Sequence, residues 1–243
     1  MLSNIWTTIF YEPLYNALVF FTGTFGGIGL AVITLTLIVK IIMFPLTKKS
    51  ILSQAKIYAL NDDIEKIKKD YPDKTEQSKK TLELYKKNNV NPFSSCLVIL
   101  IQLPIIIALY QVFLRGVESS TGVLYSFVHI PENLSTMFLG INLEEKSIIF
   151  AILAGITQFI QMKISTSMIK PADPNDVSFK GQLAKSMQFQ MKYILPFFIT
   201  FVAYSVSAAI ALYWVASNII TIIQELIIRS RAGLIKKEDL LKI

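Results

Sequence analysis

The chain has 243 residues, of which 53% are apolar and 17% charged, and a net charge of +7. Soluble domains carry about one-quarter charged residues; here charge is missing from several apolar runs of roughly 15–22 residues, near the length that crosses a bilayer. That sets aside a soluble core and a basic nucleic-acid-binding domain, and the single Cys96 leaves no internal disulfide or cysteine zinc site.

Residues 1–24 contain no Lys or Arg, so the charged start of a secretory signal peptide is missing. Asn4, Glu12, Pro13 and Asn16 interrupt the segment, and Trp6, Tyr11 and Tyr15 are interface-seeking aromatics. An amphipathic segment on the outer surface is expected. Span 1 follows at 25–46 with Lys40 as its only charge before the polar segment 47–91. Span 2, 92–114, is uncharged, and an outer loop occupies 115–147. Span 3, 148–164, carries only Lys163 near its end, and a cytoplasmic loop fills 165–192. As one helix, the apolar stretch 193–228 would extend roughly 54 Å, far beyond a bilayer core. Two shorter spans, 193–206 and 208–228, joined near Ser205–Ala208, fit better, with a basic tail at 229–243.

The charges orient these spans. Segment 47–91 holds 11 Lys, and 165–192 and 229–243 are also basic, whereas 1–24 and 115–147 together hold only Arg115 and Lys146. Basic segments face the cytoplasm. The reading is an all-α membrane protein of five transmembrane helices, N-terminus outside and C-terminus cytoplasmic, forming one membrane domain.

Segment 47–91 reads as a cytoplasmic helical hairpin. Ile57, Leu60, Ile64, Ile67 and Tyr71 follow 3–4–3–4 spacing along one seam. Pro72-Asp73 breaks the pattern, and Leu82 and Tyr85 continue a seam on the second helix. Such short helices are marginal alone, so the seam is a candidate docking element, with a solvated topological loop as the alternative.

Inside the spans, Lys40 most needs explaining, because a charge in hydrocarbon costs a few kcal/mol. It either snorkels towards Lys48-Lys49 or faces a water-filled cavity; the second reading is preferred because intramembrane charges usually face the bundle interior. Thr34 and Thr36 lie near it, Gln102 precedes Pro104, and Gln158 and Gln161 share a helical face. Ser217, Thr221, Gln224 and Glu225 share another, beside Asn218. Interhelical hydrogen-bonding would explain one or two of them; the set points to a polar groove open towards the cytoplasm. Glu225, four residues before Arg229, is expected to sit solvated at headgroup level, with pairing to Lys40 as the alternative. Met162, Met168, Met187 and Met191 lie at or beside the second cytoplasmic loop, as interface filler or as flexible contacts for varied apolar segments.

These residues resemble the YidC-type membrane protein insertases of bacteria and organelles. Asn91-Pro92-Phe93 to Cys96, Leu100-Ile101-Gln102-Leu103-Pro104-Ile105 and Ala108-Leu109-Tyr110 are similar to the second conserved span of that family. Leu153-Ala154-Gly155-Ile156-Thr157 with Gln161 and Ser165 is similar to the third, and Leu195-Pro196 and Ala211-Leu212-Tyr213-Trp214-Val215-Ala216-Ser217-Asn218 to the fourth and fifth. The resemblance implies a minimal five-helix core with a hydrophilic groove open to cytoplasm and lipid, lined by Lys40, Thr36, Gln102, Gln158, Gln161, Trp214, Asn218, Thr221 and Gln224. Lys40 stands where the family has arginine, keeping the charge but losing the guanidinium fork.

The expected function is insertion of nascent membrane proteins, received in the groove and released sideways into lipid, in a bacterial cytoplasmic membrane or, secondarily, an organellar one. The expected partners are nascent substrates and membrane lipids, with a ribosome and the Sec translocon as further candidates and no specific nucleic acid. No enzyme activity, cofactor or metal is expected: His129 is the only histidine, and no paired carboxylates fall in the spans. A small secondary transporter and a structural subunit of a translocation complex are the rival readings; no repeated pair of broken spans supports the transporter.

Overall fold

The computed structural model describes residues 6–92, 94–115, 123–131, 134–167 and 179–234. Residues 1–5 of the expected surface segment, 168–178 of the second cytoplasmic loop and the tail beyond 234 lie outside this set. Ten α-helices follow in order among the described residues: α1 (Glu12–Phe25), α2 (Ile28–Ile42), α3 (Phe44–Ala59), α4 (Asn61–Asp70), α5 (Lys74–Lys87), α6 (Ser94–Arg115), α7 (Ile148–Thr166), α8 (Phe179–Phe189), α9 (Leu195–Ser205) and α10 (Ala208–Arg231). A small antiparallel hairpin, β1 (Met137–Phe138) and β2 (Ile141–Asn142), lies between α6 and α7.

α10 is the hub. It packs against α7 and α2, and also reaches α3, α6 and α9. Its buried residues include Ala208, Ala209, Ala211 and Ala216, and small side chains let helix backbones approach closely. α7 packs as closely on α9 through Gly155, where a Cβ would lie 1.8 Å from Thr200 Oγ1. α6 packs more extensively on α3 than on α10.

Among the described residues, α7 and α10 are long and apolar enough to cross a membrane. α2 and α3 together make a third candidate, bent by 59° at Met43. α6 contributes a shorter apolar stretch, Leu100–Phe113. The final apolar stretch is divided where α9 ends at Ser205 and α10 begins at Ala208.

Four features depart from the sequence reading. First, Tyr11 and Tyr15, expected on an exposed amphipathic segment, are core residues, 3% and 0% exposed. α1 buries Leu18 and Val19 with them and packs along α2, while Trp6 donates to Gln111 on α6 at 3.2 Å. A neighbouring helix covers this apolar face. Second, the expected cytoplasmic loop is helical from Phe179, running through a π-turn, Gln190–Ile194, into α9. Another π-turn, Thr7–Tyr11, leads into α1. Each ends two residues before a proline, Pro13 or Pro196, whose ring would crowd the carbonyl four residues back in a normal α-turn. Third, the expected outer loop contains β1–β2, whose turn residues Leu139 and Gly140 both have positive φ (51° and 79°), as a two-residue type I′ turn demands.

Fourth, the hairpin is divided differently. Its seam is interrupted at Leu60, so Ile57 belongs to α3, which packs on α6, while Ile64 and Ile67 belong to α4. α4 and α5 pair, with Asp73 capping α5 by accepting from the Glu76 backbone N–H at 2.9 Å. Leu82 is 47% exposed, whereas Leu84 and Tyr85 are half-buried. Lys80 lies 6.0 Å from the Tyr71 ring centre and 3.0 Å from Glu83, whose hydrogen bond raises the lysine pKa above its ordinary value.

Candidate functional site

The two ends of the bundle are built differently. At the end holding β1–β2, backbone groups lock the helices together. Ile28 N–H donates to Ser135 O at 3.1 Å, Ala209 N–H to Leu143 O at 2.9 Å and Ala208 N–H to Glu145 O at 2.7 Å. The first amides of α2 and α10, which lack partners within their own helices, are thus satisfied by one loop. Leu143 is fully buried, and Phe138 lies over Gly29, where a Cβ would come within 2.3 Å of the ring. Asn16 of α1 holds the neighbouring loop from both sides, donating to Val123 O at 2.8 Å and accepting from Tyr125 N–H at 2.7 Å. This end is closed.

Towards the other end, polar side chains connect the helices in two separate clusters. In the first, Lys40 Nζ donates to Gln102 Oε1 at 3.4 Å, and the Gln102 amide donates to the Tyr213 hydroxyl. Tyr213 is 2% exposed and hydrogen-bonds with Ser217 one turn on. Gln224 donates to the backbone carbonyl of Lys40 at 2.9 Å. Lys40 and Gln102 are half-buried, and Lys40 has no acidic partner among the described residues.

The second cluster joins α7 to α10. Gln158 donates to Gln161 at 3.3 Å, Gln161 to Ser165 at 3.0 Å and Ser165 to Glu225 at 2.6 Å. Glu225 pairs with Arg229, which also donates to Ser167 Oγ at 2.7 Å. The expected solvated Glu225 is therefore corrected: it is 2% exposed and Arg229 1%, so neither lies in headgroup water. Position on the helix explains the error. Glu225 is one residue, about 100°, round from Gln224, so it faces α7 while Gln224 faces α2.

The remaining expected groove residues are spread out. Asn218 donates to Thr157 at 3.2 Å on α7. Thr36 and Thr221 return their hydroxyls to carbonyls of their own helices, Val32 and Ser217. Trp214 is half-buried against the apolar core. The residues missed as site members are Tyr213, Ser165 and Arg229. Their spacing could have revealed them: Tyr213, Ser217 and Gln224 share one face of α10, and Glu225 and Arg229 are an i, i+4 pair.

The sequence model of the 60Kd inner membrane protein family matches residues 20–236, nearly the whole chain. The chain belongs to that family. Its relatives are the YidC-type membrane protein insertases. It is 35% identical over 232 residues to the membrane protein insertase YidC of Oceanobacillus iheyensis, covering 93% of this chain and 84% of that one. It is 30% identical to the YidC of Bradyrhizobium diazoefficiens, covering 94% of this chain but 37% of that protein. A crystal structure described as an active YidC insertase with its first transmembrane domain resolved superposes with a TM-score of 0.57 at 25% identity, over 89% of this chain and 46% of that one. The chain thus spans most of one relative and less than half of the longer proteins. Family and apolar helices together mark a membrane protein of bacterial type with an insertase role.

Proposed function

We propose that this protein receives the transmembrane segments of nascent membrane proteins in a polar groove around Lys40 and releases them sideways into the bilayer. Five spans would carry the groove: 25–46, 92–114, 148–164, 193–206 and 208–228. The N-terminus would lie outside and the hairpin and basic tail in the cytoplasm, with the β1–β2 end forming the outer seal.

The observation that carries this reading is Lys40 itself. It is a half-buried cation on an apolar helix with a glutamine for company and no carboxylate among the described residues. A charge left unpaired in hydrocarbon is costly, so water or an incoming acidic group is its natural complement.

The physical work is desolvation. A substrate must carry a short polar tail across an apolar layer, and unpaired polar groups there cost several kcal/mol. A wet groove reaching part-way shortens the dry path. Lys40 attracts acidic residues of the tail; Gln102 and Gln224 supply further hydrogen-bonding groups. The helix that ends in α9 runs on from Phe179, but its apolar stretch 193–206 covers only about 21 Å, and a short apolar span favours a locally thinned bilayer. Release follows from burial of the substrate's own apolar helix in lipid. The hairpin residues Ile64, Ile67 and Tyr71 would meet a nascent chain, a ribosome or the Sec translocon.

The test is rescue of cells depleted of their own insertase. Lys40→Arg should insert acidic-tailed substrates as the parent does, Lys40→Ala less well, and Lys40→Glu least. Equal insertion by all three would refute electrostatic capture.

A further inference from the structure

A second cationic feature lies away from the groove. A cleft of about 360 Å³ is lined by Pro45, Lys48, Lys49, Leu52, Ser53, Lys56 and Asn89. On α3, Lys48, Leu52 and Lys56 follow i, i+4 spacing in one row, and Pro45 and Lys49 form the adjacent row. The three lysines therefore line one surface together with the apolar Pro45 and Leu52. Asn89, at the end of the hairpin with φ of +52°, closes the far wall.

Charge balance sets this cleft apart from the rest of the cytoplasmic segment. Segment 61–87 intersperses its lysines with seven acids, and two pairs form: Lys66 lies 3.5 Å from Asp63, and Lys80 3.0 Å from Glu83. No acid lines the cleft, and none occurs between Phe44 and Asn61. Position supplies the second clue. The cleft begins two residues beyond the 59° bend at Met43, where Ile41 and Ile42 are 59% and 71% exposed. The opposite side of α3, with Thr47, Ser50 and Ile51, is buried. An apolar step next to three unpaired cations matches one kind of ligand: a phosphate diester with hydrocarbon attached.

We infer that this cleft binds the headgroup of an anionic phospholipid from the cytoplasmic leaflet, with its acyl chains descending past Ile41 and Ile42. The lysines neutralise the phosphate, Asn89 offers an amide donor, and Leu52 and Pro45 accept the glycerol-ester region. A bound lipid would fix the angle at which α3 leaves the membrane, and the site stands whatever passes through the groove. Nucleic acid, the other polyanion that lysines attract, has no use for the apolar step.

The test is native mass spectrometry of the full chain in detergent with dioleoylphosphatidylglycerol or dioleoylphosphatidylcholine. Phosphatidylglycerol should bind preferentially. The triple variant Lys48→Gln, Lys49→Gln, Lys56→Gln should lower its apparent affinity by at least about tenfold. Lys48→Arg, Lys49→Arg, Lys56→Arg should retain it, as should Lys69→Gln, Lys79→Gln, Lys87→Gln, which removes equal charge from the hairpin. Equal binding of phosphatidylcholine, or equal loss in the hairpin variant, would overturn the inference. So would displacement of the lipid by millimolar inorganic phosphate, which would mark a free-anion site, or by a micromolar RNA oligonucleotide, which would mark a nucleic-acid surface.

Discussion

The end of the bundle built on β1–β2 and the end built around Lys40 use the same helices to opposite effect. At the first, helix amides meet loop carbonyls, an aromatic ring fills the space over Gly29, and Leu143 is fully buried. At the second, glutamine, serine and lysine side chains bridge helices, and several remain half-buried. Backbone bonds fix one geometry, because the donors cannot rotate away. Side-chain bonds can be exchanged for water or for another chain, which is why the proposed groove is placed at the second end.

The second end has its own fixed point, and removing it should produce the largest effect. Glu225→Ala leaves Arg229 buried without its carboxylate and should destabilise the protein by roughly 3–5 kcal/mol. Thermal unfolding in detergent would measure it, and Glu225→Leu with Arg229→Met should recover most of the loss. Full stability of the single variant would mean that the pair is solvated and the contrast between the clusters false. At the β1–β2 end, Gly29→Val should cost about 1–3 kcal/mol by overpacking against Phe138. Adding Phe138→Ala should relieve that strain, a coupling readable in a double-mutant cycle. The smallest effect is expected from Asn16→Ala, at about 1–2 kcal/mol. It unpairs Tyr125 N–H and Val123 O, and hydrogen exchange at Tyr125 should accelerate while α7 amides keep their protection.

Much of this architecture is legible in the sequence because apolar run length and charge placement are one-dimensional signals. The break at Ser205–Ala208 follows from a run too long for one crossing, and the π-turns follow, in hindsight, from Pro13 and Pro196. What could not be read is which polar residues meet. Ser217, Thr221, Gln224 and Glu225 look like one face, yet Gln224 reaches α2 and Glu225 reaches α7. Helical periodicity gives an angle on one helix but not the identity of the neighbour at that angle. Tyr11 and Tyr15 carry the same ambiguity: an aromatic at a membrane boundary and an aromatic in a helix interface have the same spacing. The Glu225–Arg229 pair was available from its spacing, but an i, i+4 ion pair is more often a surface feature, worth little. Only the packing of α7 against α10 shows it to be buried.

Whether water reaches Lys40 from the cytoplasm decides the account. Cys96 is the only cysteine, so a Cys96→Ser background allows Lys40→Cys, Gln102→Cys and, at the β1–β2 end, Phe138→Cys to be labelled one at a time with a membrane-impermeant maleimide in inverted vesicles. Lys40→Cys and Gln102→Cys should react from the cytoplasmic side and Phe138→Cys should not. Unreactive Lys40→Cys and Gln102→Cys, beside a reactive Lys48→Cys, would mean that the helices meet dry and that no groove exists.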